Sequence, residues 1–174
     1  MSEIDELLRH IRDVPNFPKE GVVFKDITPM LGDPQAFQTA VDLLADEYMG
    51  AGVDVVVGAE ARGFIIASPL AYKLGSGFVL IRKPGKLPWM TETVEYELEY
   101  GTNSLEIHKD AIQPGMKVLI ADDLLATGGT AEACIHLVER LGGEVVGMSF
   151  FIELSFLNAR KRFEKYPIHS LIQY

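Results

Sequence analysis

The chain of 174 residues contains a single cysteine, Cys134, and a single tryptophan, Trp89. One cysteine cannot close an internal disulfide, which points to a reducing, cytosolic compartment. No apolar run approaches the ~18 residues that a membrane-crossing helix needs. Positive charge is also scarce, with 16 Lys and Arg against 25 Asp and Glu and a net charge of −9. That balance disfavours general binding of nucleic acid or of an anionic membrane, since both reward positive charge. The N-terminal stretch 1–13 is acidic and broken by charges, so it does not read as a secretory signal. The histidines, His10, His108, His136 and His169, are too scattered for a zinc-ligand spacing. No serine sits in a Gly-x-Ser-x-Gly elbow, and Cys134 falls on the apolar face of a predicted helix, among core residues. There is no internal repeat, low-complexity segment or linker. The remaining composition, 48% apolar and 24% charged, suits one globular domain spanning 1–174.

Hydrophobic periodicity then sets the fold class. Ile4, Leu7, Leu8 and Ile11 share one helical face, Ser2 and Asp5 form a capping-box pattern, and Pro15 stops the helix. The proline-rich stretch 16–29 reads as extended or looped. Asp33-Pro34 reads as an N-cap and first residue of a helix whose stripe is Phe37, Ala40, Val41, Leu44 and Tyr48. Apolar runs at 53–57, 78–81, 118–121, 145–154 and 168–172 suit strands buried on both faces. Helices are expected at 63–74, despite Pro69, at 130–141, and in a short piece before the last strand. The segment 93–100 alternates, with Val94, Tyr96, Leu98 and Tyr100 on one side and Thr93, Glu95, Glu97 and Glu99 on the other, and returns through a hairpin near Leu105 and Ile107. This alternation predicts an α/β fold: an open, mostly parallel twisted sheet with helices on both faces, ligand at the carboxyl ends of the strands.

The chemistry concentrates between Val118 and Thr130. A buried strand ends in Asp122 and Asp123, and a turn containing Ala126, Thr127, Gly128, Gly129 and Thr130 opens a helix. Glycines let backbone N–H groups approach an anion, the threonines add hydroxyl donors, and the helix N-terminus adds its positive dipole end. No lysine follows the glycines, so this is not a nucleoside-triphosphate P-loop. Carboxylates repel phosphate, so the two aspartates suit a sugar diol or a metal ion, and the whole segment suits a ribose 5-phosphate. A plain glycine-capped strand-to-helix turn is the competing reading. Arg82, Lys83 and Lys86 form a basic island around Pro84-Gly85, which fits a polyanion better than a merely solvated loop.

The segment Asp122-Asp-Leu-Leu-Ala-Thr-Gly-Gly-Thr130 resembles the phosphoribosyl pyrophosphate motif of the type I phosphoribosyltransferases, in the form carried by the branch that acts on adenine. Further stretches are similar to that branch, in order: Phe17 to Pro29, Glu60-Ala-Arg62-Gly-Phe, Arg82-Lys83-Pro-Gly-Lys86-Leu-Pro and Leu98-Glu99-Tyr100-Gly. The resemblance covers roughly residues 10–174. It implies the type I phosphoribosyltransferase fold, with an N-terminal helix and small hood over 1–32 and a flexible β-hairpin lid over 83–103.

The resemblance also implies roles. Asp122 and Asp123 would accept hydrogen bonds from the ribose hydroxyls, and residues 126–130 would cradle the 5-phosphate. Arg62, Arg82, Lys83 and Lys86 would meet the pyrophosphate, some of them across a homodimer interface. Val23 and Lys25 would contact adenine through backbone groups, while Phe24 and Leu124 would sandwich the ring; Phe24 could equally be an ordinary core aromatic. Relatives acting on 6-oxopurines often place an aspartate where Ala126 stands, so the alanine favours adenine. Glu99 would handle the purine proton and Tyr100 would help close the lid, although Glu99 could be one more solvated carboxylate beside Glu95 and Glu97. Mg²⁺ would travel with the pyrophosphate. The expected reaction is therefore adenine plus phosphoribosyl pyrophosphate giving AMP and pyrophosphate, a purine salvage step. The rivals are an enzyme for another base such as xanthine, and a non-catalytic sensor of phosphoribosyl pyrophosphate.

Overall fold

A computed structural model describes residues 2–97 and 102–174. Helix α1, Glu3–Arg9, begins with the expected capping box: the Asp5 N–H donates to Ser2 Oγ at 3.1 Å, and the Ser2 N–H donates to the Asp5 carboxylate at 2.9 Å. The helix ends before Ile11, and the chain turns into strand β1, Arg12–Pro15. Strand β2, Val23–Asp26, pairs antiparallel with β1, Val14 opposite Phe24. This small hairpin lies in the segment that the resemblance assigns to the hood. Arg12 donates to the Asp26 carboxylate at 2.6 Å and Lys25 to Asp13 at 2.7 Å, so ion pairs stitch its two strands. A short helix α2, Thr28–Gly32, follows, taking in the last two residues of the stretch 16–29 that reads as extended or looped. Pro29 occupies its first turn, where a missing N–H breaks no helical bond.

Helix α3, Pro34–Asp46, starts as predicted, with Asp33 accepting from the Ala36 N–H at 2.8 Å. Then come strand β3, Val55–Ala59, helix α4, Arg62–Leu74, and strand β4, Gly77–Ile81. Strands β5, Thr91–Glu97, and β6, Thr102–His108, form the expected antiparallel hairpin, with Val94 opposite Leu105. Strand β7, Lys117–Leu125, helix α5, Gly129–Arg140, strand β8, Glu144–Glu153, and strand β9, Ile168–Gln173, complete the chain. Between β8 and β9 the expected short helix is instead two 3₁₀ turns, Ser155–Leu157 and Ala159–Arg162, separated by Asn158 with φ +55°.

The central sheet has five strands in the order β4-β3-β7-β8-β9, and every neighbouring pair is parallel. Alternate side chains of β3 and β7 feed two cores. Val56, Leu119 and Ala121 face α1 to α4, with Leu7, Met30, Leu44, Ile66 and Leu70. Val55, Val57, Val118 and Ile120 face α5 and the β5–β6 hairpin, with Leu137, Val138, Leu105 and Ile107. Helices therefore cover both faces, and the near-continuous apolar strands follow from that double burial. The order reverses between β3 and β7: α4 leads from β3 outward to β4 on one side, and α5 leads from β7 to β8 on the other. A crevice opens at the carboxyl ends of strands at such a switch point.

Candidate active site

A cleft of about 350 Å³ occupies that crevice. One wall is the β3–α4 connection, residues 60–63, and the other is the end of β7 with the turn into α5, residues 122–131; Phe150 of β8 closes the floor. Asp122, Asp123, Leu124, Ala126, Thr127, Gly128, Gly129, Thr130 and Arg62 all line it, so the fold brings together every residue anticipated for the sugar-phosphate end. The aspartates lie within β7 itself, held by the ladder to β8 (Asp122 opposite Phe150, Leu124 opposite Ile152).

The turn has the geometry of an anion cradle. Gly128 is the N-cap of α5 in the left-handed region, φ +90°, and no side chain caps the helix. The N–H groups of residues 128–131 find no acceptor among the described residues, as expected for an uncapped helix start. The first helical bond runs from the Glu132 N–H to the Gly128 carbonyl at 2.9 Å. These unpartnered donors, with the helix dipole behind them, favour a bound anion.

The carboxylates next to the cradle are tightly held. Asp122 Oδ1 accepts the Asp123 N–H at 2.8 Å, and Arg62 Nε forms an ion pair with Asp123 Oδ2, 2.9 Å away. Asp123 is buried, whereas Asp122 keeps partial exposure to the cleft and is enclosed by protein on its other sides. A Cβ at Gly63 would lie 2.7 Å from Asp122 Oδ1, so only glycine lets the start of α4 pass this close. Burial, and then the neighbouring Asp123 charge, push the Asp122 carboxyl well above the usual carboxylate range; the more distant Arg62 offsets this only partly.

Arg62 joins three parts of the molecule. It starts α4, pairs with Asp123, and its guanidinium carbon lies 5.1 Å from the Phe24 ring centroid. Phe24 in turn meets Phe17 edge-on at 5.2 Å. The hairpin thus meets the cleft-wall residue Arg62 through Phe24, which does not itself line the cleft, whereas Leu124 does. Val23 and Lys25 are not in the cleft wall; the Lys25 ammonium is committed to Asp13 and to the Tyr174 ring, 3.9 Å away. Only backbone groups of Lys25 remain for a ligand.

The basic island meets the cleft through Glu60, whose side chain is 6% exposed. Arg82 Nε donates to Glu60 Oε2 at 2.7 Å, and Lys86 Nζ lies 3.5 Å from Glu60 Oε1. Burial would raise the Glu60 carboxyl, but hydrogen bonds from Arg82 and the Lys83 backbone, with the charges of Lys86 and Arg82, hold it below its ordinary value. Glu106 fastens the island from the other side. Its carboxylate accepts the Gly85 N–H at 3.2 Å, and its backbone exchanges bonds of 2.9 and 2.7 Å with Arg82. The Lys83 side chain is exposed. Glu60 and Glu106 were not anticipated. The signal for Glu60 lay in its place two residues before Arg62, while that for Glu106 is visible only once β6 is folded beside residue 82. Glu99 and Tyr100 lie outside the described residues.

Comparison with known proteins agrees with this geometry. The family profile of the phosphoribosyl transferase domain matches residues 30–170. An adenine phosphoribosyltransferase of Geobacter metallireducens is 58% identical over 171 residues, covering 98% of this chain and 100% of that protein. One from Thermotoga neapolitana is 57% identical over 169 residues, covering 97% and 99%. Among solved structures, the adenine phosphoribosyltransferase of Thermoanaerobacter pseudethanolicus superposes with a TM-score of 0.96 at 54% identity, covering 98% of this chain and 99% of that one. The Saccharomyces cerevisiae enzyme, crystallised with an imino-altritol bisphosphate and adenine, superposes with a TM-score of 0.92 at 40% identity, covering 97% and 98%. With the motif, the cleft and end-to-end relatives at more than half identity in agreement, the chain belongs to the adenine phosphoribosyltransferase family.

Proposed function

We infer that the chain transfers the 5-phosphoribosyl group from phosphoribosyl pyrophosphate to adenine, giving AMP and pyrophosphate. The observation that carries this reading is the cleft in which two carboxylates stand beside an uncapped helix start, in a chain matched along its length by adenine phosphoribosyltransferases. A ribose 5-phosphate fits that pair of features. The 5-phosphate takes the N–H donors of residues 128–131 and the threonine hydroxyls, and the ribose hydroxyls donate to Asp122 and Asp123. Arg62, Arg82, Lys83 and Lys86 supply the cations for the pyrophosphate. Ala126 leaves room beside the base, and Phe24 and Leu124 supply its two faces.

Adenine N9 attacks the anomeric carbon as pyrophosphate departs from the opposite face, so configuration inverts. The protein contributes positioning of donor and base and stabilisation of developing charge on the leaving group. Mg²⁺ arrives as part of the donor, where it neutralises charge on the leaving pyrophosphate. The cleft suits such a substrate-borne ion, because Mg²⁺ characteristically keeps several waters and takes one or two carboxylates besides phosphate oxygens. Glu99 handles the purine proton and Tyr100 helps close the lid over 83–103, excluding water that would hydrolyse the donor. Replacement Glu99→Gln is expected to lower turnover by at least ~100-fold, the usual scale of general acid–base assistance. Turnover within about twofold of wild type would remove Glu99 from that role.

The working form is a homodimer. Tyr72 on α4 and Trp89 and Met90 after β4 are 89%, 64% and 63% exposed, around a sheet edge that a second copy would cover. No helix among the described residues is long and apolar enough to cross a membrane, and the buried lone thiol suits the cytoplasm.

A base panel tests the reaction. The protein is incubated with phosphoribosyl pyrophosphate, Mg²⁺ and adenine, hypoxanthine, guanine or xanthine, and nucleotide formation is followed. AMP from adenine alone is the expected result. Product from an oxopurine would overturn the base assignment, and no product with any base, while the donor still binds, would make the chain a sensor.

A further inference from the structure

We propose that Arg162, which lies outside the cleft wall, is a positioning residue for the 5-phosphate cradle. It would act by fixing the orientation of the Thr127–Gly128 peptide and by neutralising Glu132 at the start of α5. The proposal rests on the reading of the 127–130 turn as the phosphate seat.

The geometry is specific. Arg162 closes the second 3₁₀ turn after β8. Its Nη1 donates to the Thr127 carbonyl oxygen at 2.9 Å, and its Nη2 donates to the Glu132 carboxylate. Thr127 lines the cleft and Arg162 does not, so the carbonyl it holds is directed away from the cleft. In a planar trans peptide the N–H points opposite to the C=O. Holding the Thr127 carbonyl outward therefore aims the Gly128 N–H inward, and that N–H has no acceptor among the described residues.

The peptide needs such a restraint because it adjoins a glycine at φ +90°, a residue type with wide conformational freedom. Turned over, the same peptide would present a carbonyl oxygen to the phosphate in place of a donor. A backstop limits movement of the turn: a Cβ at Gly128 would lie 2.8 Å from the Phe163 ring and 3.5 Å from Ala159, both in the segment that carries Arg162.

Charge points the same way. Glu132 lies in the first turn of α5, on the helix end that receives the anion. A free carboxylate there would oppose phosphate binding. Arg162 draws that carboxylate to itself and cancels its charge.

An ordinary surface ion pair would leave a different signature. The two side chains are 42% and 39% exposed, so the pair adds little to stability. A positioning role predicts lost phosphate affinity with stability nearly unchanged. The test compares wild type with Arg162→Ala and Arg162→Lys by calorimetric titration of ribose 5-phosphate, steady-state kinetics and thermal unfolding. Arg162→Ala is expected to raise the Kd for ribose 5-phosphate and the KM for phosphoribosyl pyrophosphate about tenfold, the scale of one charge-assisted hydrogen bond. The KM for adenine should stay within about twofold, and Tm within about 2 °C. Arg162→Lys, whose ammonium still reaches for one acceptor, should recover most of the affinity. If wild type binds ribose 5-phosphate and Arg162→Ala binds it equally well, Arg162 has no positioning role. If wild type itself does not bind ribose 5-phosphate, the phosphate-seat reading fails instead. Should Arg162→Ala not fold, Arg162→Met keeps the stem without the guanidinium and its titration is read in the same way.

Discussion

Adjacent strands β7 and β8 both carry a carboxylate towards their carboxyl ends, and the two are treated in opposite ways. Glu153, at the end of β8, has a side chain 4% exposed and receives Arg160 through two guanidinium nitrogens at 2.7 to 3.0 Å. Arg160 also donates to the Ile168 carbonyl at 3.0 Å, tying β9 to the same node. Burial alone would raise the Glu153 carboxyl, but the hydrogen bonds from Arg160 and Ser170 and the Arg160 charge hold it below its ordinary value. Asp122, three residues before the end of β7, has no such partner. Burial and the Asp123 charge raise its carboxyl, and the nearby cation, Arg62, is spent on Asp123. One carboxylate is paired with a cation by the fold and stabilises it. The other has the Asp123 N–H but no cation of its own, beside an anion cradle, and ribose hydroxyls are what would complete it. Stability and binding are thus separated by one strand.

The largest test breaks the satisfied end. Arg160→Met leaves Glu153 buried without its cation, a change that costs about 3–5 kcal/mol in comparable buried pairs. Tm is expected to fall by about 10 °C or more in thermal unfolding, while the affinity for ribose 5-phosphate in the folded protein holds. The pH dependence sharpens this. A carboxyl held below its ordinary 4.5 contributes stability that is full above that value and is lost as pH falls through the native pKa. The stability gap between wild type and Glu153→Gln should therefore narrow below about pH 4.5.

A smaller loss is expected at the cradle. Gly128→Ala forces a side chain into φ +90° and against Phe163, 2.8 Å away. Strain of about 1–3 kcal/mol is typical at such a position. Tm should fall by several degrees, and ribose 5-phosphate binding should weaken with it, because the strained residue carries one of the donors. Loss of stability with intact binding would detach the turn from the phosphate.

The smallest effect has the opposite sign. Asp122→Asn removes a carboxylate that the fold destabilises, so Tm at neutral pH is expected to rise by about 2–4 °C, the shift made by about 1 kcal/mol in a chain of this size. A carboxyl whose native pKa is raised favours the folded state at acid pH, and that contribution is lost as pH rises through the raised value. The advantage of Asp122→Asn should therefore grow from acid towards neutral pH.

Much of this contrast was legible in the sequence, and what was hidden has a common cause. The apolar run at 118–121 announced β7, and Asp122 with Asp123 announced its polar end, because strand, carboxylates and glycine turn are contiguous. Helix α2 was hidden because prolines near it suggested an extended chain, yet Pro29 sits in the one helical turn that tolerates it. Glu60, Glu106 and Arg162 acquire their roles from partners distant in sequence. Arg162 reaches residues 35 and 30 positions earlier, and no local spacing encodes that contact. The hood was legible as an irregular segment, whereas its strand pairing and the link from Phe24 to Arg62 emerge only on folding.

The most direct test of the separation between the two strand ends pairs thermal unfolding of Asp122→Asn with calorimetric titration of ribose 5-phosphate. A variant that melts above wild type at neutral pH and binds ribose 5-phosphate at least about tenfold more weakly is the predicted result, the loss being that of a hydrogen bond to a charged group. A variant that melts below wild type and binds as tightly would contradict it, and would place Asp122 with Glu153 among the residues that hold the fold.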